Sequence, residues 1–303
     1  MSVEEPSPRT PPLTQPLSPP GDALRRLRSR APLVQNITNF VAMNPAANIL
    51  LAVGASPAMV HAREEAGEFA AIADALTINI GTLSPAWLEG MLVAAEAAVD
   101  HSKPWVLDPV AAGATTLRRQ AASQLLELAP TLVRGNASEV LALGGAADNG
   151  STAGRGVDAA DPVAAAEYAA VSLAQRQGCV VAVTGEIDFI TDGRRAAHVA
   201  NGHALMPQVT ALGCALTGVC GAFLAVTDDA FEATVAALAY YGLAGERAAR
   251  GADGPGSFML CFIDALAGLS ADAVDKDARI APATLPSAPA EGGADADLEV
   301  RAP

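Results

Sequence analysis

From residue 75 onward, short apolar runs at 75–80, 105–110, 131–134 and 180–184 alternate with Ala-rich segments of helical period at 85–99, 117–128 and 162–177. Runs of four to six apolar residues suit strands buried on both faces, and the longer 3.6-period segments suit helices laid over them. That rhythm predicts a three-layer α/β fold with a mainly parallel central sheet and helices on both faces. The runs end in Asn79-Ile80-Gly81, Asp108-Pro109, Arg134-Gly135-Asn136 and Thr184-Gly185-Glu186. Ligands bind beyond the carboxyl ends of strands in open α/β sheets, so these endings are expected to converge.

The last third reads differently. Residues 187–191 and 198–200 flank an Asp192-Gly193 turn and predict antiparallel additions to the sheet. Residues 214–226, 231–249 and 255–266 predict three successive helices that close one face.

Composition sharpens the boundaries. Of the 21 prolines in the 303 residues, eleven fall in 1–22 and 271–303, so both ends are expected to be disordered tails around one domain spanning 23–270. A formal net charge of −14 leaves no basic face to displace counterions, which excludes nucleic acid as a partner. The cluster Arg25, Arg26, Arg28 and Arg30 is short and reads as a solvated face near a helix entry. Four cysteines without a C-x-x-C pair suit a reducing, cytoplasmic setting. The N-terminal stretch carries Glu4 and Glu5 and no apolar h-region, and no apolar run is long enough for a membrane span.

Three places could carry chemistry. Asp108 ends a buried strand, where a carboxylate is costly unless paired or liganded, although a turn-capping Asp reads the same. Asn136 and Glu139 have the spacing of a capping box and are equally suited to a hydrated Mg²⁺, which keeps most of its waters and takes one or two carboxylates. Gly213 precedes a helix of small residues, whose free N–H groups attract phosphate. No G-x-x-x-x-G-K-[ST], zinc spacing or G-x-S-x-G elbow is present.

In order along the chain stand Pro32-Leu33-Val34, Asn36-Ile37-Thr38-Asn39, Gly54-Ala55-Ser56-Pro57-Ala58-Met59, Asn79-Ile80-Gly81-Thr82-Leu83, Leu107-Asp108-Pro109-Val110, Arg134-Gly135-Asn136-Ala137-Ser138-Glu139, Val183-Thr184-Gly185-Glu186, Gly213-Cys214 and Gly254-Pro255-Gly256-Ser257-Phe258. Together these resemble the hydroxyethylthiazole kinases of the ribokinase-like superfamily. The resemblance implies transfer of the γ-phosphoryl of ATP to the hydroxyl of 4-methyl-5-(2-hydroxyethyl)thiazole in thiamine biosynthesis, with Mg²⁺ required, by a homotrimer with sites at subunit interfaces. It further implies that Asn39, Met59, Thr210 and Gly213 bind the thiazole substrate, that Arg134 and Thr184 bind ATP, and that Asp108 and Glu139 organise Mg²⁺ directly or through water. The resemblance also implies that Gly213 and Cys214 form the catalytic pair. Cys214 stands where most of the superfamily has an Asp base; a thiol is a poor base at neutral pH, although a helix N-terminus lowers its pKa, and a loose transition state needs little early proton removal, so Cys214 is expected to orient the hydroxyl rather than deprotonate it.

Two positions depart from the family. Ala211-Leu212 replaces the usual glycine-initiated run before Gly213-Cys214, so a positive φ at Ala211 would be strained by about 1 kcal/mol. Gln35 replaces a frequent His. These changes define two alternatives, a degenerate thiazole-binding protein without turnover and a kinase of a related alcohol such as hydroxymethylpyrimidine.

Overall fold

Successive strand residues enter opposite layers, as a sheet covered on both faces requires. Val106 and Leu132 fall in one apolar cluster, and their neighbours Leu107 and Val133 fall in the other. A computed structural model describes residues 17–145 and 162–286. The first half runs α1 (Pro20–Arg30), β1 (Leu33–Ile37), α2 (Met43–Val53), β2 (Ser56–Ala58), α3 (Arg63–Ile72), β3 (Ala75–Asn79), α4 (Pro85–Asp100), β4 (Trp105–Asp108), α5 (Thr116–Leu126), β5 (Leu132–Asn136) and α6 (Ala137–Gly145). The second runs α7 (Pro162–Gln177), β6 (Val180–Thr184), β7 (Asp188–Thr191), β8 (Ala196–Val199), α8 (Leu212–Leu224), α9 (Ala230–Ala249), α10 (Pro255–Gly268), α11 (Ala271–Asp277) and β9 (Ile280–Pro282).

Among the described residues, one sheet of nine strands has the order β2-β1-β3-β4-β5-β6-β7-β8-β9. Strands β1 to β6 are parallel, and β7, β8 and β9 add antiparallel at one edge. The chain leaves β1 for β2 on one side and returns across it to β3 on the other. Such a reversal of strand order opens a crevice at the carboxyl ends.

Helix α8 lies unusually close to the sheet because its glycines fall where the helix touches it. A Cβ on Gly221 would come 2.6 Å from Thr77 Cγ2, and one on Gly218 would come 2.9 Å from Asn36 Oδ1. The second and third turns of α8 are thereby held against β1 and β3. Local chemistry sets other helix starts: Ser84 and Thr115 accept from backbone N–H groups at α4 and α5, and Asp229 accepts two at α9.

The expected tail from 271 onward is corrected, since 271–282 contains α11 and β9. Composition suggested disorder, but the acids there have partners: Arg25 of α1 pairs with Asp272 and Asp275, and Gly21 N–H donates to Asp275 Oδ1 at 2.6 Å. Strand β9 then pairs with β8, at a sheet edge where Pro282 is tolerated. The arginine cluster is likewise more than a solvated face, because Arg28 Nη2 donates to the carbonyls of Leu266 and Ala267 at the end of α10. The expected tail 1–22 is corrected at its end as well, since α1 begins at Pro20, and residues 1–16 and 287–303 lie outside the described residues.

Candidate active site

Strands β3 to β6 end beside one another, and hydrogen bonds join the ends. Asn79 Nδ2 donates to Asp108 Oδ2 at 2.7 Å. Arg134 spans two strands, with Nη1 donating to Asp108 Oδ2 at 3.3 Å and Nη2 to Thr184 Oγ1 at 2.9 Å. Thr217, from the second turn of α8, donates to the same Asp108 oxygen at 2.7 Å. Asp108 and Arg134 are both buried, and charges removed from water persist only when paired and hydrogen-bonded in this way. Burial raises the Asp108 carboxyl above its usual range, opposed by the Arg134 charge and by the hydrogen bonds from Thr217 and Asn79. Burial is the largest influence on the Arg134 cation and works against it, but the surrounding acidic groups, Asp108 first among them, together outweigh it and the guanidinium stays charged.

The start of α8 faces this network. Ala211, its N-cap, has φ 70° and ψ −8°, the left-handed conformation that glycine tolerates best. Arg134 Nη1 donates to Gly213 O at 2.9 Å, and the Tyr241 hydroxyl donates to Leu212 O at 2.8 Å, so the first turn is fixed from two sides. Gly213 is exposed and Cys214 half-buried. Asn39, which follows β1, donates from Nδ2 to Cys214 Sγ at 3.3 Å and to Asn79 Oδ1 at 2.9 Å. Burial, and then the negative charge of Asp108, push the Cys214 thiol up. The expected lowering by the helix N-terminus is therefore outweighed, and Cys214 is a thiol at neutral pH.

Met59 follows β2 and is partly buried against the cluster that contains α8. Gln35 Nε2 pins the adjoining loop by donating to Val60 O at 3.0 Å and to Ala66 O at 3.1 Å. His61 stacks on Trp87 with ring centroids 4.2 Å apart, and Phe40 meets the same indole edge-on at 4.7 Å. Thr210 is exposed immediately before Ala211, and neither it nor Met59 makes a side-chain hydrogen bond among the described residues. They flank the network without joining it.

Asn136 and Glu139 form the capping box that their spacing predicts. Asn136 Oδ1 accepts from Glu139 N at 3.0 Å, and Glu139 Oε2 accepts from Asn136 N at 2.8 Å. Glu139 Oε1 accepts from Ala111 N at 2.9 Å, tying the turn after β4 to α6. Among the described residues no group of three or more His, Cys, Asp or Glu could hold a metal ion. The Asp108 oxygen that faces three donors, one of them cationic, does not fit direct coordination. Glu139 keeps acceptor capacity on both oxygens and is partly exposed, which fits contact through the waters of a hydrated Mg²⁺.

Asn79, Thr217 and Asp188 are part of this arrangement although the sequence did not single them out as site residues. Asp188 is buried on β7, accepts from Gly185 N–H at 3.0 Å and so shapes the loop after Thr184. Burial pushes its carboxyl up to about 6, against the Gly185 hydrogen bond and the Arg134 charge. A polar residue in a run of apolar strand positions was the available signal for Asn79 and Asp188. Thr217 lay hidden in an apolar helix.

Comparison with known proteins agrees with the geometry. The model of the hydroxyethylthiazole kinase family matches residues 24–272. A hydroxyethylthiazole kinase from Cereibacter sphaeroides is 63% identical over 260 residues, covering 86% of this chain and 97% of that protein. One from Rhizobium rhizogenes is 60% identical over 269 residues, covering 88% and 99%. Among solved structures, the hydroxyethylthiazole kinase protein from Pyrococcus horikoshii superposes with a TM-score of 0.79 at 40% identity, covering 87% of this chain and 98% of that one. A pyridoxal kinase from Staphylococcus aureus, at TM-score 0.53 and 17% identity, shares the ribokinase-like fold. With the family model spanning most of the chain and relatives at this identity aligned nearly end to end, the chain belongs to the hydroxyethylthiazole kinase family.

Proposed function

We propose that the protein transfers the γ-phosphoryl group of ATP to the hydroxyl of 4-methyl-5-(2-hydroxyethyl)thiazole in thiamine biosynthesis. The observation that carries this reading is the continuous hydrogen-bonded chain Cys214–Asn39–Asn79–Asp108–Arg134–Thr184, whose two ends are the expected acceptor and nucleotide positions. Asn39, Met59, Thr210 and Gly213 bind the thiazole alcohol, and Arg134 and Thr184 hold ATP. The alcohol oxygen attacks the γ-phosphorus as the bond to the β-phosphate bridging oxygen breaks, giving ADP, and the hydroxyl proton leaves to solvent. Backbone N–H groups at Leu212–Cys214 face the charge that develops on the phosphoryl oxygens.

A loose transition state needs little prior deprotonation, so a neutral Cys214 thiol suffices to orient the hydroxyl. Mg²⁺, when bound, would neutralise charge on the ATP phosphates, with Glu139 and Asp108 as the residues that would hold it, through water. Phe40 and Val41, 65% and 55% exposed beside Asn39, support a homotrimer that covers them. Free cysteines support a cytoplasmic location.

The test is ADP formation by purified protein with Mg·ATP, dependent on the thiazole alcohol, with hydroxymethylpyrimidine as a competing acceptor. Thiazole-dependent ADP is expected. Thiazole binding without ADP, or turnover of the pyrimidine alone, would overturn the reading.

A further inference from the structure

We infer that Asn79 is a positioning residue for the transfer: its amide converts the acceptor character of Asp108 into a fixed hydrogen-bond polarity that reaches Cys214 through Asn39. This rests on the reading of the site given under Proposed function. Asp108 Oδ2 is an acceptor already, taking Arg134 Nη1 at 3.3 Å and Thr217 Oγ1 at 2.7 Å. Asn79 must therefore present Nδ2 to Asp108 Oδ2, at 2.7 Å, and its Oδ1 faces the opposite way. That oxygen accepts from Gly81 N–H at 2.9 Å, and a backbone N–H can only donate. Two independent partners thus demand the same orientation of one amide.

Asn39 is oriented in the same way. Asn79 Oδ1 requires a donor and takes Asn39 Nδ2 at 2.9 Å. Asn39 Oδ1 accepts from Ala42 N–H at 3.0 Å, which again admits one orientation only. The second proton of Asn39 Nδ2 points to Cys214 Sγ, at 3.3 Å. Sulfur is the acceptor in that contact, so its S–H is not spent on Asn39 and the thiol rotor is constrained. Asn79 and Asn39 are both buried, which shields the chain from water that could serve either polarity.

Two variants separate polarity from shape. Asn79→Asp keeps the shape and the oxygen facing Gly81 and Asn39 but replaces the donor facing Asp108 with a second acceptor. Asn79→Ala removes the whole group and leaves room for water. A polarity role predicts kcat falling in the order wild type, Ala, Asp, with the Asp variant about 10–100-fold down and KM for ATP within about twofold. A space-filling role predicts that a third variant, the near-isosteric apolar Asn79→Leu, stays near wild type with Ala worse, and that order overturns the proposal. Thermal unfolding of all three variants checks that they are folded at the assay temperature.

A second readout does not depend on turnover. The rate of iodoacetamide alkylation at Cys214, resolved from Cys261 by peptide mass spectrometry, reports the hydrogen bond from Asn39. Slower alkylation at Cys214 is expected in Asn79→Ala, where Asn39 loses the acceptor that holds its amide, by about threefold or more. If wild type makes no ADP from the thiazole alcohol, the functional reading fails while this rate still judges Asn79. Unchanged alkylation in Asn79→Ala overturns the inference.

Discussion

Replacing Ala211 with glycine should stabilise the protein, although glycine at a helix boundary usually offers little. Ala211 holds φ 70° and ψ −8° at the N-cap of α8, and its carbonyl accepts the first helical hydrogen bond from Ala215 at 2.8 Å. An L-residue in the left-handed region is strained by about 1–2 kcal/mol. Glycine removes that strain, but it also gains freedom in the unfolded chain worth about 0.4–1 kcal/mol. The difference leaves Ala211→Gly more stable by about 0.5–1 kcal/mol, or about 1–4 °C in Tm for a domain of this size. Circular dichroism melting of the variant beside wild type measures it, with Ala211→Val as a companion of opposite sign because β-branched residues tolerate this conformation worst. Activity should rise by at most about threefold, since the same backbone strain is present in ground and transition states. A lower Tm for Ala211→Gly, or no loss for Ala211→Val, would refute the strain argument.

Asp108→Ala leaves the buried Arg134 guanidinium without its carboxylate and should destabilise by about 3–5 kcal/mol, whereas Glu139→Gln should mainly lower kcat and raise the Mg²⁺ concentration needed for half-maximal rate. Melting and Mg²⁺ titration of the two variants check this; equal losses of Tm would count against the division of roles. The Asp188 carboxyl, pushed up to about 6 from 3.8, binds its proton more tightly folded than unfolded. Its contribution to stability is therefore present in full at low pH and falls by up to roughly 3 kcal/mol as pH rises from about 4 to 6. Asp188→Asn should gain stability relative to wild type across that window, and denaturant curves at pH 4.5 and 7 that differ equally for both proteins would contradict it. Gly221→Ala places a methyl 2.6 Å from Thr77 Cγ2 and should cost about 1–3 kcal/mol by chemical denaturation, with no loss if α8 can move off the sheet freely.

Much of the framework was legible because its residues are locally consistent. The segment 162–177 coincides with α7 and the segment 180–184 with β6, and both have an apolar pattern of one unmistakable period. The convergence of Asn79, Asp108, Arg134 and Thr184 followed from strand-end position alone. Strand β1 was not identified because Gln35 and Asn36 interrupt it, and these are buried through partners at Val60, Ala66 and Thr77 that no local window contains. Strand β9 and helix α11 were obscured by proline and acids whose partners, Arg25 and Gly21, lie near the other end of the chain. Thr217 looked like one more small residue in an apolar helix, and only the approach of α8 to β4 reveals its bond to Asp108.

The clasp between α1 and α11 has a kinetic meaning. Gly21 and Asp275, which it joins, are 254 residues apart in sequence. At a synthesis rate of about 5–20 residues per second, the N-terminal helix waits roughly 13–50 s for the residues that receive it. Until then its apolar side, Leu24 and Leu27, has no completed α9–α11 layer to cover it. Closing so long a loop comes late and makes the last step of folding depend on the whole chain. Chaperone engagement of the nascent protein should therefore persist until α11 has left the ribosome, and end together with the burial of α1.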